Sequence, residues 1–257
     1  MNSIVMNKLK SNFDIYLEHE IPKDITITDL LNEEKCLSFL QKYMSELKAP
    51  NLTVAASMLS KRYAFLVVSS TLYSMVEFNG VLNLPIKVCA LTKEHKLCIQ
   101  AGMYKWVEVN TLEREEWRKK VLRDLFSTHI MPILSILKKI SGVPSSILWE
   151  NVAIRINSVY RKTLVEELEP IKIKRLNSDF NFLKNASGDL FKLKENPIKH
   201  YLKIGEELKL NPSRKTCCLY YKLEKHVDGI SYCGNCPIKS RQTKARNECN
   251  ERDKNKC

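Results

Sequence analysis

The chain has 257 residues, a formal net charge of +13 and nine cysteines. Its length suits one large domain, or a domain with a small appendage, and is sufficient for a substantial hydrophobic core. The longest uncharged stretch, residues 63–76, is shorter than the roughly 18 apolar residues that a transmembrane helix needs. Residues 1–10 show no signal-peptide core. We therefore expect a cytoplasmic protein with no transmembrane segment.

The excess of positive charge favours an anionic partner, which could be nucleic acid, a membrane surface or a small molecule. The basic residues are spread along the chain, and they show neither zinc-finger spacing nor a pattern typical of DNA-reading helices or RNA-binding sheets. We expect no nucleic acid partner, whereas peripheral contact with an anionic membrane stays open. The seven glycines form neither a dinucleotide fingerprint nor a phosphate-binding loop.

The first half of the chain is predicted to be helical and then to form a small sheet. Apolar spacing predicts a helix over residues 30–47 and a second one over 51–79, capped by Asn51 and apolar on nearly every face. Lys61 and Arg62 lie within this second helix, and a cation on a buried helix needs a partner. Alternation over residues 86–100 predicts a hairpin, with a third strand at 106–109.

The second half is predicted to contain two long helices, at 113–139 with a kink near Pro132 and at 144–168 ending before Pro170. The latter carries a polar stripe, typical of a solvated face, that consists of Asn151, Arg155, Ser158 and Lys162. Residues 171–196 look like a connecting region with broken helical turns, and residues 197–208 like one more short helix. The Asp228–Gly229 pair indicates a tight hairpin turn.

The most informative feature is two close pairs of cysteines, Cys217 with Cys218 and Cys233 with Cys236. Two such pairs brought together across a loop build a pocket of four thiolates for a soft metal centre. Adjacent cysteines point apart on an extended backbone, so that chelating a single ion with both strains the peptide. An iron–sulfur cluster relaxes that demand and is the favoured interpretation. A structural zinc stays open, since thiolate ligation alone does not choose the metal.

Disulfides are less favoured, because nothing marks the chain as secreted and a bridge between adjacent cysteines is strained. The other five cysteines are scattered along the sequence. Those at positions 36, 89 and 98 lie in apolar segments and are expected to behave as small buried hydrophobes. Those at 249 and 257 lie in a polar tail and are expected to have no role.

Two stretches resemble the FhuF-type ferric siderophore reductases. Residues 214–221, Arg-Lys-Thr-Cys-Cys-Leu-Tyr-Tyr, together with residues 232–236, Tyr-Cys-Gly-Asn-Cys, resemble the iron–sulfur motif of that family. Residues 148–153, Leu-Trp-Glu-Asn-Val-Ala, resemble its tryptophan–asparagine stretch. The resemblance spans roughly residues 50–237. The gap between the cysteine pairs, residues 219–232, is longer than is usual in the family.

The resemblance implies a [2Fe–2S] cluster on Cys217, Cys218, Cys233 and Cys236. It also implies a cytoplasmic enzyme that transfers one electron to a ferric siderophore, or to another anionic Fe(III) chelate, and so releases Fe(II). The electron would come from a separate donor such as a ferredoxin or a flavoprotein reductase. The transfer needs no general acid or base, so that no catalytic residue is expected beyond the cluster.

The substrate-binding candidates are the cations next to the cysteines, Arg214 and Lys215, and the helical residues Arg62, Trp149, Asn151 and Arg155. Two of these have a simpler interpretation. Trp149 could pack in the core, and Arg155 could form a surface salt bridge.

These observations predict a predominantly helical α+β protein with a small antiparallel β-hairpin or sheet. Residues 1–210 would form the mainly helical substrate-binding domain, with its β-hairpin element near 86–109. Residues 211–257 would form the C-terminal cysteine-rich cluster-binding segment and a basic tail. Two other functions stay open: a zinc-stapled basic module that binds nucleic acid or protein, and an iron–sulfur sensor of iron or redox state that does not turn over.

Overall fold

The computed structural model describes residues 3–17, 23–100, 102–109, 114–165, 169–203, 210, 212–224 and 231–241, without the side chains of 163–165. The protein is predominantly helical with two small sheets, which confirms the predicted α+β class. The α-helices are α1 (Ser3–Phe13), α2 (Ile27–Leu30), α3 (Glu33–Glu46), α4 (Leu52–Ala64), α5 (Ser70–Glu77), α6 (Arg114–Arg123), α7 (Met131–Ser141), α8 (Ser145–Val165) and α9 (Pro170–Asn185). No helix of the described residues has the length and apolar character needed to cross a bilayer.

The predicted central helix is present and runs from α4 through a π-helical turn, Phe65–Ser69, into α5. Asn51 caps it as expected, because its side chain accepts a hydrogen bond from the backbone N–H of Val54 at 3.1 Å. Its residues are buried on most faces, since α3, α7 and α8 all pack against α4. This helix therefore forms the middle of the hydrophobic core.

The predicted hairpin is formed by β4 (Cys89–Thr92) and β5 (Leu97–Ile99), which pair in antiparallel fashion. It lies inside a four-stranded sheet, because β1 (Ile15–Tyr16) adds in parallel to β5 and β2 (Lys23–Thr26) adds in antiparallel fashion to β4. Cys89 and Cys98 are buried in this sheet, and Cys36 is buried in α3. Cys36 and Cys89 pack in the hydrophobic core as small hydrophobes.

The expected third strand does not extend the hairpin. Instead β6 (Lys105–Glu108) pairs with β3 (Gly80–Asn83) in a separate two-stranded ribbon. The ring of Trp106 lies over Gly80, where a Cβ atom would come within 2.7 Å of it. The absence of a side chain at Gly80 therefore permits this pairing.

The predicted helix over 113–139 is present as α6 and α7 joined by a π-helical segment, Asp124–Ile130, directly before Pro132. The prediction of a connecting region after residue 170 is wrong, because Pro170–Asn185 forms helix α9. Pro170 occupies the first turn, where a missing N–H costs nothing. The buried Asp179 carboxylate then docks α9 on α6 by accepting two hydrogen bonds, of 2.7 and 2.8 Å, from the Arg114 guanidinium.

The short helix predicted at 197–208 is not seen in its described part, since residues 197–201 form turns. The rest of that segment and the predicted Asp228–Gly229 turn lie outside the described residues.

Candidate functional site

The two cysteine segments lie side by side on the helical body. The backbone N–H of Arg214 donates to the carbonyl of Asn235 at 3.0 Å, and the Asn235 side chain donates to the carbonyl of Pro212 at 2.9 Å. The backbone N–H of Cys236 closes a turn onto the carbonyl of Cys233 at 3.0 Å. These bonds bring together cysteines that are separated by a long stretch of sequence.

Sulfur atoms from both segments meet in this region. The Sγ atoms of Cys218 and Cys233 are 3.4 Å apart, which is within hydrogen-bond distance for sulfur. Cys218 and Cys236 are buried, whereas Cys217 and Cys233 are partly exposed. Among the residues that the structure describes, no three His, Cys, Asp or Glu side chains converge on a point that could hold a single metal ion.

Backbone N–H groups point at the sulfurs of the adjacent pair. The N–H of Leu219 donates to Sγ of Cys217 at 3.3 Å, and the N–H of Tyr220 donates to the sulfur of Cys218. Leu219 adopts a left-handed conformation with φ of 66°, which is uncommon for a residue other than glycine. The chain therefore turns sharply directly after the two cysteines.

The surrounding charges favour a thiolate at Cys218. Its pKa is lowered, first because it accepts a hydrogen bond from the Cys233 thiol, and then because Lys61 and Arg214 lie nearby. Either thiol could donate at this distance, but Cys218 also receives the Tyr220 N–H, so that we place the negative charge there. The pKa of Cys233 is raised because its thiol is the donor. Burial, and the nearby Cys218 and Cys236, raise the pKa of Cys217.

A buried carboxylate on α8 anchors the first cysteine segment. Glu150 accepts hydrogen bonds from the backbone N–H groups of Lys215 at 2.6 Å and Thr216 at 2.7 Å, and from the Thr216 hydroxyl. It also pairs with Arg214 at 3.6 Å, and these two side chains are only 3% and 1% exposed. These hydrogen-bond donors and the ion-pair partner of Glu150 all come from the segment that leads into the cysteines.

A second anchor comes from α4. The Ser57 hydroxyl donates to the backbone carbonyl of Cys218 at 2.8 Å. The Asn151 side chain, which is fully buried, donates to the carbonyl of Ser57 at 3.0 Å and to the Ser60 hydroxyl at 2.8 Å. Asn151 therefore supports the cysteines through Ser57 and lies away from solvent, whereas Arg155 and Ser158 of the same polar stripe are partly exposed and Lys162 is exposed.

Beside Cys233 lies a cavity of about 360 Å³ between α8 and the cysteine segments. Its lining includes six basic residues, Lys61, Arg155, Arg161, Lys203, Arg214 and Lys215. Glu150 is the one carboxylate among the described residues that line it. Asn157 shapes one wall, because its side chain donates to the carbonyl of Tyr201 at 2.9 Å and accepts from the N–H of Lys203 at 3.2 Å.

Arg155 forms no surface salt bridge with the described residues. Its guanidinium lies 5.2 Å from the centre of the Phe65 ring, and Arg62 contacts the same ring at 5.5 Å. Burial, followed by the positive charges of Arg62 and Arg214, lowers the pKa of Arg155 to about 10. The side chain therefore still carries its charge at neutral pH.

Three of the predicted substrate-binding residues, Arg62, Trp149 and Asn151, do not line this cavity. Arg62 is partly exposed and already has partners, since it donates to Asp14 at 2.8 Å and to the carbonyl of His95 at 2.9 Å. Trp149 is buried in the core, with its ring edge against Phe191 at 5.6 Å. The structure thus brings Arg155, Arg214 and Lys215 together at the cavity. Asn151 instead contacts Ser57, which holds the backbone of Cys218.

The sequence-based reasoning missed Glu150, Ser57, Lys61 and Arg161 as parts of this region. A signal for Glu150 was present, because a carboxylate in an apolar helical stretch needs buried donors. The role of Ser57 depends on a contact with Cys218, 161 positions along the chain, which no local pattern reveals.

Comparison with models of protein families and with curated protein sequences finds no match for this chain.

Proposed function

We propose that the chain is a cytoplasmic one-electron reductase of ferric siderophores, of the FhuF type that its cysteine segments resemble. One observation carries the proposal: the two cysteine segments lie side by side, with Sγ of Cys218 3.4 Å from Sγ of Cys233, and Cys233 lines a cavity that six basic residues also line. A redox centre and a site for an anionic chelate would then share one wall. That is the arrangement that electron transfer to a bound chelate needs.

The donor set fits an iron–sulfur cluster in its chemistry. Cys217, Cys218, Cys233 and Cys236 would hold it, and two of their sulfurs already lie in contact. A [2Fe–2S] cluster bound there would supply one electron at a time, at a potential that depends on hydrogen bonds, charge and solvent exposure. The N–H groups of Leu219 and Tyr220, aimed at the sulfurs, are donors of that kind.

The protein's own residues would position the cysteine ligands and bind the Fe(III) chelate. Glu150 and Ser57 fix the backbone on either side of the adjacent cysteines. Lys61 and Arg214 place positive charge beside Cys218, which favours its thiolate form. The basic cavity would hold the chelate next to Cys233.

The reaction itself is a transfer of one electron. Siderophores bind iron through hard oxygen donors, which hold Fe(III) far better than Fe(II). One electron passed from the protein to the bound Fe(III) chelate yields Fe(II), which the ligand then releases. A separate electron donor, such as a ferredoxin or a flavoprotein reductase, would restore the reduced protein.

A single-turnover experiment tests this function. Cluster-loaded protein, reduced with dithionite and freed of excess reductant, is mixed anaerobically with Fe(III) chelates in the presence of a coloured Fe(II) trap. We expect reoxidation of the protein together with one Fe(II) for each reduced chain. The matched control is Cys218→Ser, which should form no Fe(II). Protein that keeps its electron while the chelates stay ferric would contradict a reductase and favour a sensor.

A further inference from the structure

The cavity beside Cys233 has an unbalanced charge. Six basic residues line it, against the single carboxylate residue Glu150 among the described residues. That carboxylate is already engaged, because it accepts the backbone N–H groups of Lys215 and Thr216 and pairs with Arg214. No other carboxylate among the described lining residues is left to pair with Arg155 or Arg161.

Two of these cations also have an unmet hydrogen bond. Nε of Arg155 and Nη2 of Arg214 are buried, and neither has a partner among the described residues. Arg214 as a whole is only 4% exposed. Buried guanidinium nitrogens are normally paired, since an unpaired donor away from water is costly. Two like charges held close together with unused donors indicate a site that is completed by an anion.

We propose that this cavity binds the carboxylate groups of a compact, negatively charged Fe(III) polycarboxylate chelate, with Arg155 and Arg161 among the residues that hold it. The proposal rests on the reductase function above and narrows its substrate class. Guanidinium groups match carboxylates in a planar, two-bonded geometry. A volume of about 360 Å³ is at the small end of ligand pockets. Bulky trihydroxamate chelates, which are neutral or positive, fit neither this size nor this charge.

The test uses Ga(III) citrate, which resembles an Fe(III) polycarboxylate chelate but is not reduced. Its binding to the cluster-loaded protein is measured by titration calorimetry, beside Ga(III) desferrioxamine B, free citrate and inorganic phosphate. We expect Ga(III) citrate to bind most tightly, and its affinity to fall as salt is added. Arg155→Gln and Arg161→Gln should each raise its Kd about tenfold or more. The control Lys119→Gln removes the same charge from an exposed helix surface outside the cavity and should leave the Kd unchanged.

Three results would overturn the proposal: equal binding of Ga(III) desferrioxamine B, equal binding of free citrate or phosphate, or an unchanged Kd in both folded arginine variants. Should Arg155→Gln fail to fold, Arg161→Gln decides. Because gallium takes no electron, binding is separated from reduction. Tight binding of Ga(III) citrate without reduction of any Fe(III) chelate would count against the reductase alone. Reduction of trihydroxamate chelates without binding of Ga(III) citrate would count against the polycarboxylate class alone.

Discussion

Glu150 and Arg214 form a buried ion pair, with 3.6 Å between Oε2 and Nε, directly behind the adjacent cysteines. The pair joins α8 to the segment that leads into Cys217, and the same carboxylate also accepts the N–H groups of the two following residues. The position of this segment on the helical body therefore depends on one buried charge.

The first prediction concerns that charge. Glu150→Gln leaves Arg214 buried without its counter-ion, which costs about 3 kcal/mol in comparable pairs. We expect a lower free energy of unfolding in guanidinium chloride, measured on protein without its cluster. Glu116→Gln, at a side chain that is 82% exposed, is the matched control and should change little. Equal effects of the two substitutions would show that the buried pair contributes nothing special.

The second prediction concerns the amide behind Cys218. Asn151→Ala leaves the carbonyl of Ser57 and the hydroxyl of Ser60 without the donor that they now share. Loss of such buried bonds costs about 2 kcal/mol, and we also expect a strong chelator to remove iron faster from the loaded protein. Asn185→Ala removes an exposed amide that bonds within α9 and serves as control. Iron release at the same rate in both variants would show that Asn151 does not stabilise the cysteine segment.

The third prediction concerns the assignment of the ligands. Cys217→Ser, Cys218→Ser, Cys233→Ser and Cys236→Ser should each abolish or strongly bleach the visible absorption of an iron–sulfur cluster. Cys36→Ala is the control, because Cys36 is buried in α3 and packs as a small hydrophobe. It should keep the full spectrum and lose only a little stability. A spectrum that survives any two of the four serine substitutions would refute this ligand set.

The fourth prediction concerns pH and a buried histidine. Burial lowers the pKa of His129 to about 4 from its ordinary value of 6.5, and the ring contacts the hydroxyl of Tyr63 at 2.5 Å and the carbonyl of Leu84 at 2.6 Å. The folded state thus holds the neutral ring, whereas the unfolded chain takes up a proton below about pH 6.5. Stability from this group is complete above that pH and falls by roughly 3 kcal/mol towards pH 4.

Urea unfolding at neutral and acidic pH checks this behaviour. His129→Gln keeps a polar side chain that does not titrate, so its stability should fall less on acidification than that of the wild type. His200→Gln, at an exposed histidine, should behave as the wild type does. An identical acid dependence in His129→Gln and the wild type would contradict the assignment.

Much of the fold follows from local patterns. The apolar run after Asn51 predicts the central helix, and the alternation around residues 89–99 predicts the hairpin of β4 and β5. Helix α9 was not predicted, although Leu176, Phe180 and Leu183 recur at helical spacing and are buried. Its docking also depends on the contacts of Asp179 with Arg114 and Arg118, which no local pattern reveals. The pairing of β6 with β3 was not predicted either, because the contact between Trp106 and Gly80 forms only in the folded chain.

The candidate site likewise contains some residues that the sequence indicates and others that only the fold reveals. The cysteines stand out by their spacing, and Arg214 and Lys215 by their position next to them. The carboxylate of Glu150, the hydroxyl of Ser57 and the cavity lined by Arg155 arise from contacts between distant segments. These residues hold the cysteine segment or line the cavity because of tertiary contacts, which no local sequence pattern reveals.

The most direct test of the central claim is the metal and sulfide content of anaerobically purified protein, with visible and EPR spectra before and after dithionite. We expect a brown protein with about two irons and two sulfides per chain that is EPR-active only when reduced. A colourless protein that holds one zinc, even after expression with ample iron and attempted reconstitution, would contradict it.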